Sequence, residues 1–174
     1  MILLLETHPL EETAEATRSV DRLLIELLDL SLQAEQAHWN FTGRGSKGIH
    51  GFLDELVDEC CHWQRQLRES LGIPSKDRLA SLAAATPLEL LPAGQLRDQD
   101  VVSFFERRFR RVAECARAGL EQVGSEASVP QDIPANIIRG LERQARALRA
   151  GLAVRQYART SRARSSARRN PTAA

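Results

Sequence analysis

The stretch LLDLSLQAEQAHWNFTGRGSKGIHGFLDEL, residues 27–56, contains the end of one helical pattern, a glycine-rich loop and the start of a second helical pattern. Leucines in its first part recur at helical spacing. The segment TGRGSKG at 42–48 has the glycines typical of a loop between two elements. The stretch therefore predicts two helices joined by a glycine-rich loop.

The rest of the chain continues this helical pattern. No segment alternates with period two, so the predicted fold class is all-α. The connector SKDRLASLAAATPLELLPAGQ at 75–95 can hold one or two helical turns between the prolines of TPLELLP. We predict a four-helix bundle with one crossover connection and a short extra helix in the crossover between helices two and three. The predicted helices span residues 7–41, 48–71, 98 or 100 to 124, and 132 onward.

Composition narrows the class of protein. The chain has 174 residues, 43% of them hydrophobic and 5% aromatic, which suffices for one domain with a buried core. The opening MILLLETHPL has no basic residue before its apolar run, so we expect no signal peptide. No stretch approaches the roughly 18 apolar residues of a membrane span. The three cysteines form no CxxC pair and are expected to be reduced thiols of a cytoplasmic protein.

Charge is distributed unevenly along the chain. The last twenty residues contain six of the 24 basic residues and no acid, so residues 1–154 carry 18 basic and 23 acidic residues. We therefore predict a domain at 1–154 and a basic tail at 155–174. A polycation binds DNA without reading its sequence, because it releases counterions from the phosphates. The competing interpretation is a solvated, frayed extension of the last helix. The tail arginines are Arg155, Arg159, Arg162, Arg164, Arg168 and Arg169.

Several side chains in and after the opening stretch have a spacing that suits a metal site. His38 ends the first predicted helix, and His50, Asp54, Arg65 and Glu69 lie along one slowly drifting stripe of the second, since each residue advances about 100°. Imidazole and carboxylate together suit iron or zinc. The alternative is a set of solvated positions with an exposed ion pair between Arg65 and Glu69. Spacing alone leaves both interpretations open.

The same stretch resembles a motif region of the Dps family, small twelve-subunit ferritin-like proteins of starved bacterial cells. QAHWNFTG at 36–43 and IHGFLDEL at 49–56 match the family's AHWN and LHxxFDEL patterns, with the same separation between the histidines. DIPANIIRGLERQARALRAGL at 132–152 is similar to the family's last helix, less specifically. The resemblance covers about residues 15–153 and implies a ferritin-like four-helix bundle.

For this stretch the resemblance implies a ferroxidase centre between two subunits. His38, His50 and Asp54 match the ligands from one subunit, and Glu69 matches the glutamate from its neighbour. The family's second aspartate falls on Arg65, which is always charged and offers only hydrogen-bond donors. Arg65 would repel Fe²⁺, pair with Glu69 or with the neighbour's Asp54, or swing outward. We expect at most one competent metal site, of reduced affinity.

Three further residues match positions with roles in the family. Trp39 corresponds to a tryptophan beside the iron site, where it either intercepts oxidising equivalents or packs the helix end. Acids in the region of Glu126 and Asp132 line pores through which Fe²⁺ enters along the three-fold axes. Asp132 is equally suited to cap the last helix, which has Pro134 in its first turn.

The resemblance also implies the function and the partners. It implies a dodecameric cage in the cytoplasm, at the nucleoid, that oxidises Fe²⁺ preferentially with peroxide and keeps a ferric mineral core. Double-stranded DNA would bind the tails without sequence preference. Because of Arg65, a second hypothesis is a structural cage that compacts DNA and has a weakened or disabled ferroxidase centre. A plain bundle with another ligand in its core is disfavoured by the motif region. The leucine-rich face of the first helix, wider than one bundle can bury, also favours assembly.

Overall fold

Four long helices make up most of the described part of the chain. They are α1 (His8–Asn40), α2 (Lys47–Leu71), α3 (Asp98–Gln122) and α4 (Asp132–Arg169). The computed structural model describes the backbone at residues 8–41, 47–71, 80, 81, 83, 84, 90–92, 94–122, 130 and 132–169. Within the helices, it describes side chains at residues 18–40, 48–70, 98–120 and 132–151. Over these residues the all-α prediction is confirmed, with one isolated bridge between Phe41 and Leu96.

The helices form a bundle in which each helix packs against two others. α1 lies against α2 and α3, and α4 lies against the other sides of the same two helices. Few residues separate α1 from α2 and α3 from α4, whereas 26 residues separate α2 from α3. Such a long connection can cross the bundle, as the predicted four-helix bundle with one crossover requires.

Apolar stripes at helical spacing form the core. α1 contributes four buried leucines and α3 contributes three buried phenylalanines that contact one another. α2 adds Trp63, and α4 adds one isoleucine or leucine at nearly every turn of its first half. Where side chains are described, α3 and α4 bury apolar residues at helical spacing, whereas Leu120 near the end of α3 is only half-buried. The buried residues of these two helices at that spacing are Val101, Phe104, Phe105, Phe109, Val112, Ile133, Ile137, Leu141 and Leu148.

The leucine face of α1 is covered within a single chain. All of its leucines between residues 23 and 30 are buried except Leu28, which is half-buried. The expectation that this face exceeds what one bundle can bury is therefore wrong, because α2 and α3 together cover it. Among the described side chains of α1, residues 18–40, the large apolar ones that are exposed are Leu32 at 62% and Trp39 at 77%.

The crossover returns to the end of α1. Residues 80, 81, 83 and 84 are helical, whereas 90–92 are not, so the described helical turn precedes the predicted TPLELLP position. The backbone N–H of Leu91 donates to Gln33 Oε1 at 2.9 Å, and the N–H of Leu96 donates to the carbonyl of Asn40 at 3.4 Å. Between these anchors Gly94 has a φ of +96°, a conformation that favours glycine. These contacts hold the start of α3 beside the end of α1.

An ionic network lies inside the bundle between α1 and α3. Arg108 is fully buried, and its Nη2 donates to Glu26 Oε2 at 3.0 Å and to Asp29 Oδ2 at 2.5 Å. Arg111 Nε donates to the other oxygen of Glu26 at 2.7 Å, and Gln33 Nε2 donates to Asp29 Oδ1 at 3.3 Å. The sequence patterns did not predict this network. Its signal was the presence of charged residues on otherwise apolar helix faces.

Gly140 allows α2 and α4 to approach closely. A Cβ at this position would lie 2.1 Å from Cζ2 of Trp63, so the indole packs directly on the α4 backbone. Replacing Gly140 with alanine is expected to lower the free energy of unfolding by about 1–3 kcal/mol, because overpacking a core displaces side chains or backbone. Urea unfolding followed by circular dichroism would measure the change.

Gly151 provides the matched control for Gly140. It also lies in α4, but no atom lies within 4 Å of a Cβ built there. Gly151→Ala is expected to stabilise the protein by about 0.5–1 kcal/mol through helix propensity alone. Equal effects of the two substitutions would show that the contact with Trp63 does not limit residue 140.

α4 continues well beyond the predicted domain boundary. It has 38 residues, about 57 Å at 1.5 Å per residue, and remains helical through residue 155 to Arg169. The six tail arginines lie outside the described side chains, so the division at 154/155 and the role of the tail remain predictions. Among the described residues, no helix combines the length and apolar character needed to cross a bilayer.

Candidate metal centre

Three of the predicted ligands meet where α1 ends and α2 begins. His38 is in the last turn of α1, and His50 and Asp54 are one turn apart in the first half of α2. The two imidazole centroids are 4.4 Å apart with the rings edge to face, and His38 Nε2 lies 3.4 Å from Asp54 Oδ1. The fold therefore brings together side chains separated by 12 to 16 positions in sequence.

His50 has a nitrogen that no described residue satisfies. Its Nδ1 is buried and lacks a hydrogen-bond partner, although buried polar atoms normally have one. The buried ring of Phe41 packs against the imidazole, with centroids 5.7 Å apart. An imidazole nitrogen with a free lone pair is the usual metal ligand, so the residues present fit the binding of a transition-metal ion.

The described residues of one chain do not complete a metal site by themselves. Within the described residues, no group of three or more His, Cys, Asp and Glu side chains is arranged to hold an ion. Asp54 is 67% exposed and His38 is 35% exposed, so their oxygen and nitrogen face solvent. Glu69 is fifteen residues beyond Asp54 on the same helix, about 22 Å along its axis. Glu69 therefore cannot join the other three ligands within one chain.

Arg65 and Glu69 lie on an exposed part of α2. Together with Cys61 and Arg68 they line an open surface depression. The alternative interpretation placed an ion pair between Arg65 and Glu69, but neither side chain has a salt-bridge partner among the described residues. Arg68 instead folds back onto Gln64, donating to its carbonyl at 3.2 Å. Arg65 and Glu69 are thus available to a second molecule.

Trp39 follows His38 at the end of α1 but does not pack there. Its side chain is 77% exposed, and Leu32, seven residues earlier on the same side of the helix, is 62% exposed. None of the described residues of this chain covers the indole, so both roles named for Trp39, intercepting oxidising equivalents and packing the helix end, remain predictions. The part of the surface around the two histidines combines exposed apolar and ionisable side chains.

The predicted pore residues are only partly described. Asp132 is the first residue of α4 and is exposed, and the N–H of Ile133 donates to the carbonyl of Pro130 at 3.1 Å. Glu126 lies outside the described residues. The pore role of both acids remains a prediction.

Comparisons with known proteins found two curated relatives of partial coverage. No family model matches the chain. A curated relative, DNA protection during starvation protein 2 of Deinococcus radiodurans, is 29% identical over 107 residues, which are 60% of this chain and 44% of that protein. The fine tangled pili major subunit of Haemophilus ducreyi is 26% identical over 120 residues, 67% of this chain and 64% of that one. The chain thus spans less than two thirds of either curated relative.

A solved structure matches over nearly its whole length. The structure of Dps from Microbacterium arborescens in the high iron form is 26% identical. The match covers 86% of this chain and 99% of that one, with a TM-score of 0.68. The two chains therefore share a backbone path over most of their lengths.

Proposed function

Because the chain belongs to the Dps family of ferritin-like proteins, we propose that it oxidises Fe²⁺ at a centre shared by two subunits and stores the ferric product. The observation that supports this most directly is the convergence of His38, His50 and Asp54, with His50 Nδ1 buried and unpartnered. Fe²⁺ is the substrate in this proposal. The names of the relatives, which refer to DNA protection and to a high iron form, point the same way.

The ligands divide into two groups with different roles. His38 and His50 supply neutral nitrogens that prefer transition metals, and Asp54 supplies negative charge that balances Fe²⁺. The partner subunit's Glu69 closes the site from the other side. Two Fe²⁺ ions each lose one electron to a peroxide, whose O–O bond breaks to give two waters after uptake of two protons. Removing Fe²⁺ and peroxide together protects nearby DNA from radical damage.

A two-fold axis determines which residues meet across such an interface. If Asp54 approaches the partner subunit's Arg65 and Glu69, the two α2 helices run antiparallel. The residue half-way between these positions, near 60 or 61, then lies beside its own copy. Cys60 is fully buried, whereas Cys61 is exposed and lies within about 40° of both Asp54 and Arg65 around the helix. The proposed interface therefore places the Cys61 thiols of two subunits together.

A short bismaleimide is accordingly expected to join two chains through Cys61. Most chains should migrate as a covalent dimer on a denaturing gel after brief treatment of the native protein. Burial raises the pKa of the Cys60 thiol and also that of Cys115, so both should react slowly. Cys115→Ser should keep the cross-link and Cys61→Ser should remove it. An assembled protein that gives no Cys61 dimer would exclude the antiparallel α2 arrangement.

A second candidate function follows from Arg65. Near Asp54 of the other subunit, the guanidinium would take the place of one metal ion and pair with the carboxylate. The cage would then mainly compact DNA, with a weak or absent ferroxidase activity. Anomalous scattering from crystals soaked in Fe²⁺ would separate the two functions. Iron peaks beside His38 and His50 support the ferroxidase, and a site filled only by the guanidinium supports the structural cage.

We also propose that the protein is a hollow dodecamer whose arginine-rich ends bind double-stranded DNA. Six arginines per chain, repeated over twelve chains, would act together on one DNA molecule, so weak contacts sum to strong binding. Sedimentation at moderate salt tests the assembly, and a monomer or dimer would contradict a cage.

Replacing all six tail arginines with glutamine is expected to remove most retardation of duplex DNA in a gel. Glutamine keeps the helix propensity of the segment but removes the charge that releases counterions from phosphates. Replacement of the same six residues with lysine is the control and should retain binding with a steep salt dependence. Equal retardation by the glutamine variant and the parent would place the DNA contacts elsewhere.

A further inference from the structure

The last described residues of the crossover, 90–92 and 94–96, lie beside α1 and form a segment that we call the crossover strap. Two side chains anchor this strap in the core, since Leu91 and Leu96 are each 4% exposed. Both residues also donate their backbone N–H to α1, Leu91 to Gln33 Oε1 at 2.9 Å and Leu96 to the last carbonyl of the helix at 3.4 Å. The strap is therefore attached to α1 at two points about two helical turns apart.

Gln33 is buried, and the ionic network determines which way its amide points. Its Nε2 donates to Asp29 Oδ1 at 3.3 Å, and Asp29 Oδ2 accepts from the buried Arg108. A carboxylate only accepts hydrogen bonds, so the amide nitrogen faces Asp29 and the amide oxygen faces the strap. The reverse orientation would place an N–H of Gln33 against the N–H of Leu91. One buried amide thus ties the position of the strap to that of the ionic network.

The second anchor of the strap lies beside the candidate metal centre. Leu96 pairs with Phe41 in the parallel bridge, and the buried ring of Phe41 is 5.7 Å from the imidazole of His50. That imidazole is in turn 4.4 Å from the ring of His38. Because a packed interior has little free space, a shift of Leu96 displaces Phe41 and, with it, the imidazole of His50. The strap therefore connects Gln33 to a candidate metal ligand that Gln33 does not touch.

Gly94, between the two anchors, permits the backbone conformation that the strap requires. Its φ of +96° lies in a region that L side chains rarely adopt. A Cβ built at this position meets no atom within 4 Å. Gly94→Ala therefore strains the backbone of the strap without displacing a neighbouring side chain. It disturbs the strap while α1 and the ionic network keep their own residues.

We propose that Gln33 is a positioning residue for the metal centre, which acts on His50 through the crossover strap and Phe41. It holds the imidazole in place before a metal ion arrives, so that less ordering is needed when the ion binds. This inference rests on the proposed function in one respect, because it takes His50 as a metal ligand. The link from Gln33 to His50 exists without metal and is tested first in metal-free protein.

The first arm of the test uses Gln33→Met in the full-length, metal-free protein. Methionine keeps the length of the side chain and removes both hydrogen bonds, so amide hydrogen exchange at Leu91 and Leu96 should accelerate. Modification of His50 by diethyl pyrocarbonate, measured by mass spectrometry, should accelerate as well. The exposed His62 serves as the internal reference, and its rate should not change.

Two further variants complete this arm. Gln144→Met is the matched control, because Gln144 is a buried glutamine of α4 that donates to Glu59 of α2 at 3.0 Å, and its loss should leave the strap and His50 unchanged. Gly94→Ala retains Gln33 and should accelerate both the exchange and the modification of His50. If His50 reacts at the parent's rate in either strap variant, the proposal is overturned. Gly94→Ala decides alone if Gln33→Met does not assemble.

The second arm titrates Co²⁺ into the assembled proteins and follows its visible absorption, with His50→Ala as the reference for loss of the site. Gln33→Met and Gly94→Ala should bind Co²⁺ about three- to tenfold more weakly than the parent, because mobile ligands must be ordered on binding. A purely structural role would lower stability but leave the Co²⁺ affinity of the folded protein equal to the parent's, and that result would overturn the positioning role. If His50→Ala leaves the parent's Co²⁺ spectrum unchanged, the proposed iron centre is wrong, and the first arm alone decides whether Gln33 positions His50.

Discussion

Replacing Arg108 with methionine is expected to lower the free energy of unfolding by about 3–5 kcal/mol. The substitution leaves the carboxylates of Glu26 and Asp29 buried without their shared cation, and removing one member of a buried ion pair typically costs this much. Methionine has a similar length, so the loss of volume contributes little. Urea unfolding followed by circular dichroism at several protein concentrations would measure the change and separate folding from assembly.

Two further variants show whether charge is the cause. Arg111 also pairs with Glu26 but is 31% exposed, so Arg111→Met should cost about 1 kcal/mol or less. Adding Glu26→Gln and Asp29→Asn to Arg108→Met removes the uncompensated charges and should recover most of the lost stability. An Arg108→Met protein within 1 kcal/mol of the parent would mean that water reaches the two carboxylates.

Replacing both His38 and His50 with alanine is expected to reduce Fe²⁺ oxidation to the rate in protein-free buffer. The two imidazoles are 4.4 Å apart, and no other histidine is near them in the described part of the chain. Stopped-flow absorbance of ferric product, with peroxide and separately with oxygen, would measure the rate. We expect the parent to react slowly, and faster with peroxide than with oxygen.

The control for this pair is His62→Ala, which removes an exposed histidine of α2 outside the cluster. It should leave the rate unchanged. In the opposite direction, Arg65→Asp replaces a positive charge with a carboxylate at the proposed interface and should raise both Fe²⁺ affinity and rate. Full activity in the double histidine variant would place the oxidation elsewhere, and an inert Arg65→Asp would show that Arg65 points away from the centre.

The helices could be predicted from the sequence because apolar spacing and capping involve residues only a few positions apart. The apolar positions of α3 and α4 recur at helical spacing, and the start of α4 at Asp132 follows from the acid and from Pro134 in the first turn. The burial of Trp63 could not be predicted from local patterns. Its burial depends on Gly140 in another helix, so no pattern around residue 63 alone distinguishes core from interface.

Only part of the candidate metal centre could likewise be predicted from the sequence. The spacing of residues 50, 54, 65 and 69 on one helix can be read from the sequence, since the helical period places them on one stripe. The approach of His38 to His50 and Asp54 requires the turn between α1 and α2, so the sequence indicated it only through the family motif. Exposure of Trp39 could not be foreseen, because it depends on the absence of a covering element in the described structure.

By itself, the sequence determined four amphipathic helices, a long crossover, a histidine and carboxylate stripe and a basic end, because periodicity, capping and net charge are properties of neighbouring residues. The tertiary structure decided which charges are buried. Glu26, Asp29 and Arg108 are ordinary helix residues in sequence, and only the packing of α1 against α3 removes them from water and makes each depend on the others. It also brought Arg18 and Arg22 of α1 to the same groove as Arg111 of α3. Arg22 and Arg111, the nearest pair across the two helices, are 89 positions apart in the sequence. Contacts of that range arise from packing and leave no periodic signal.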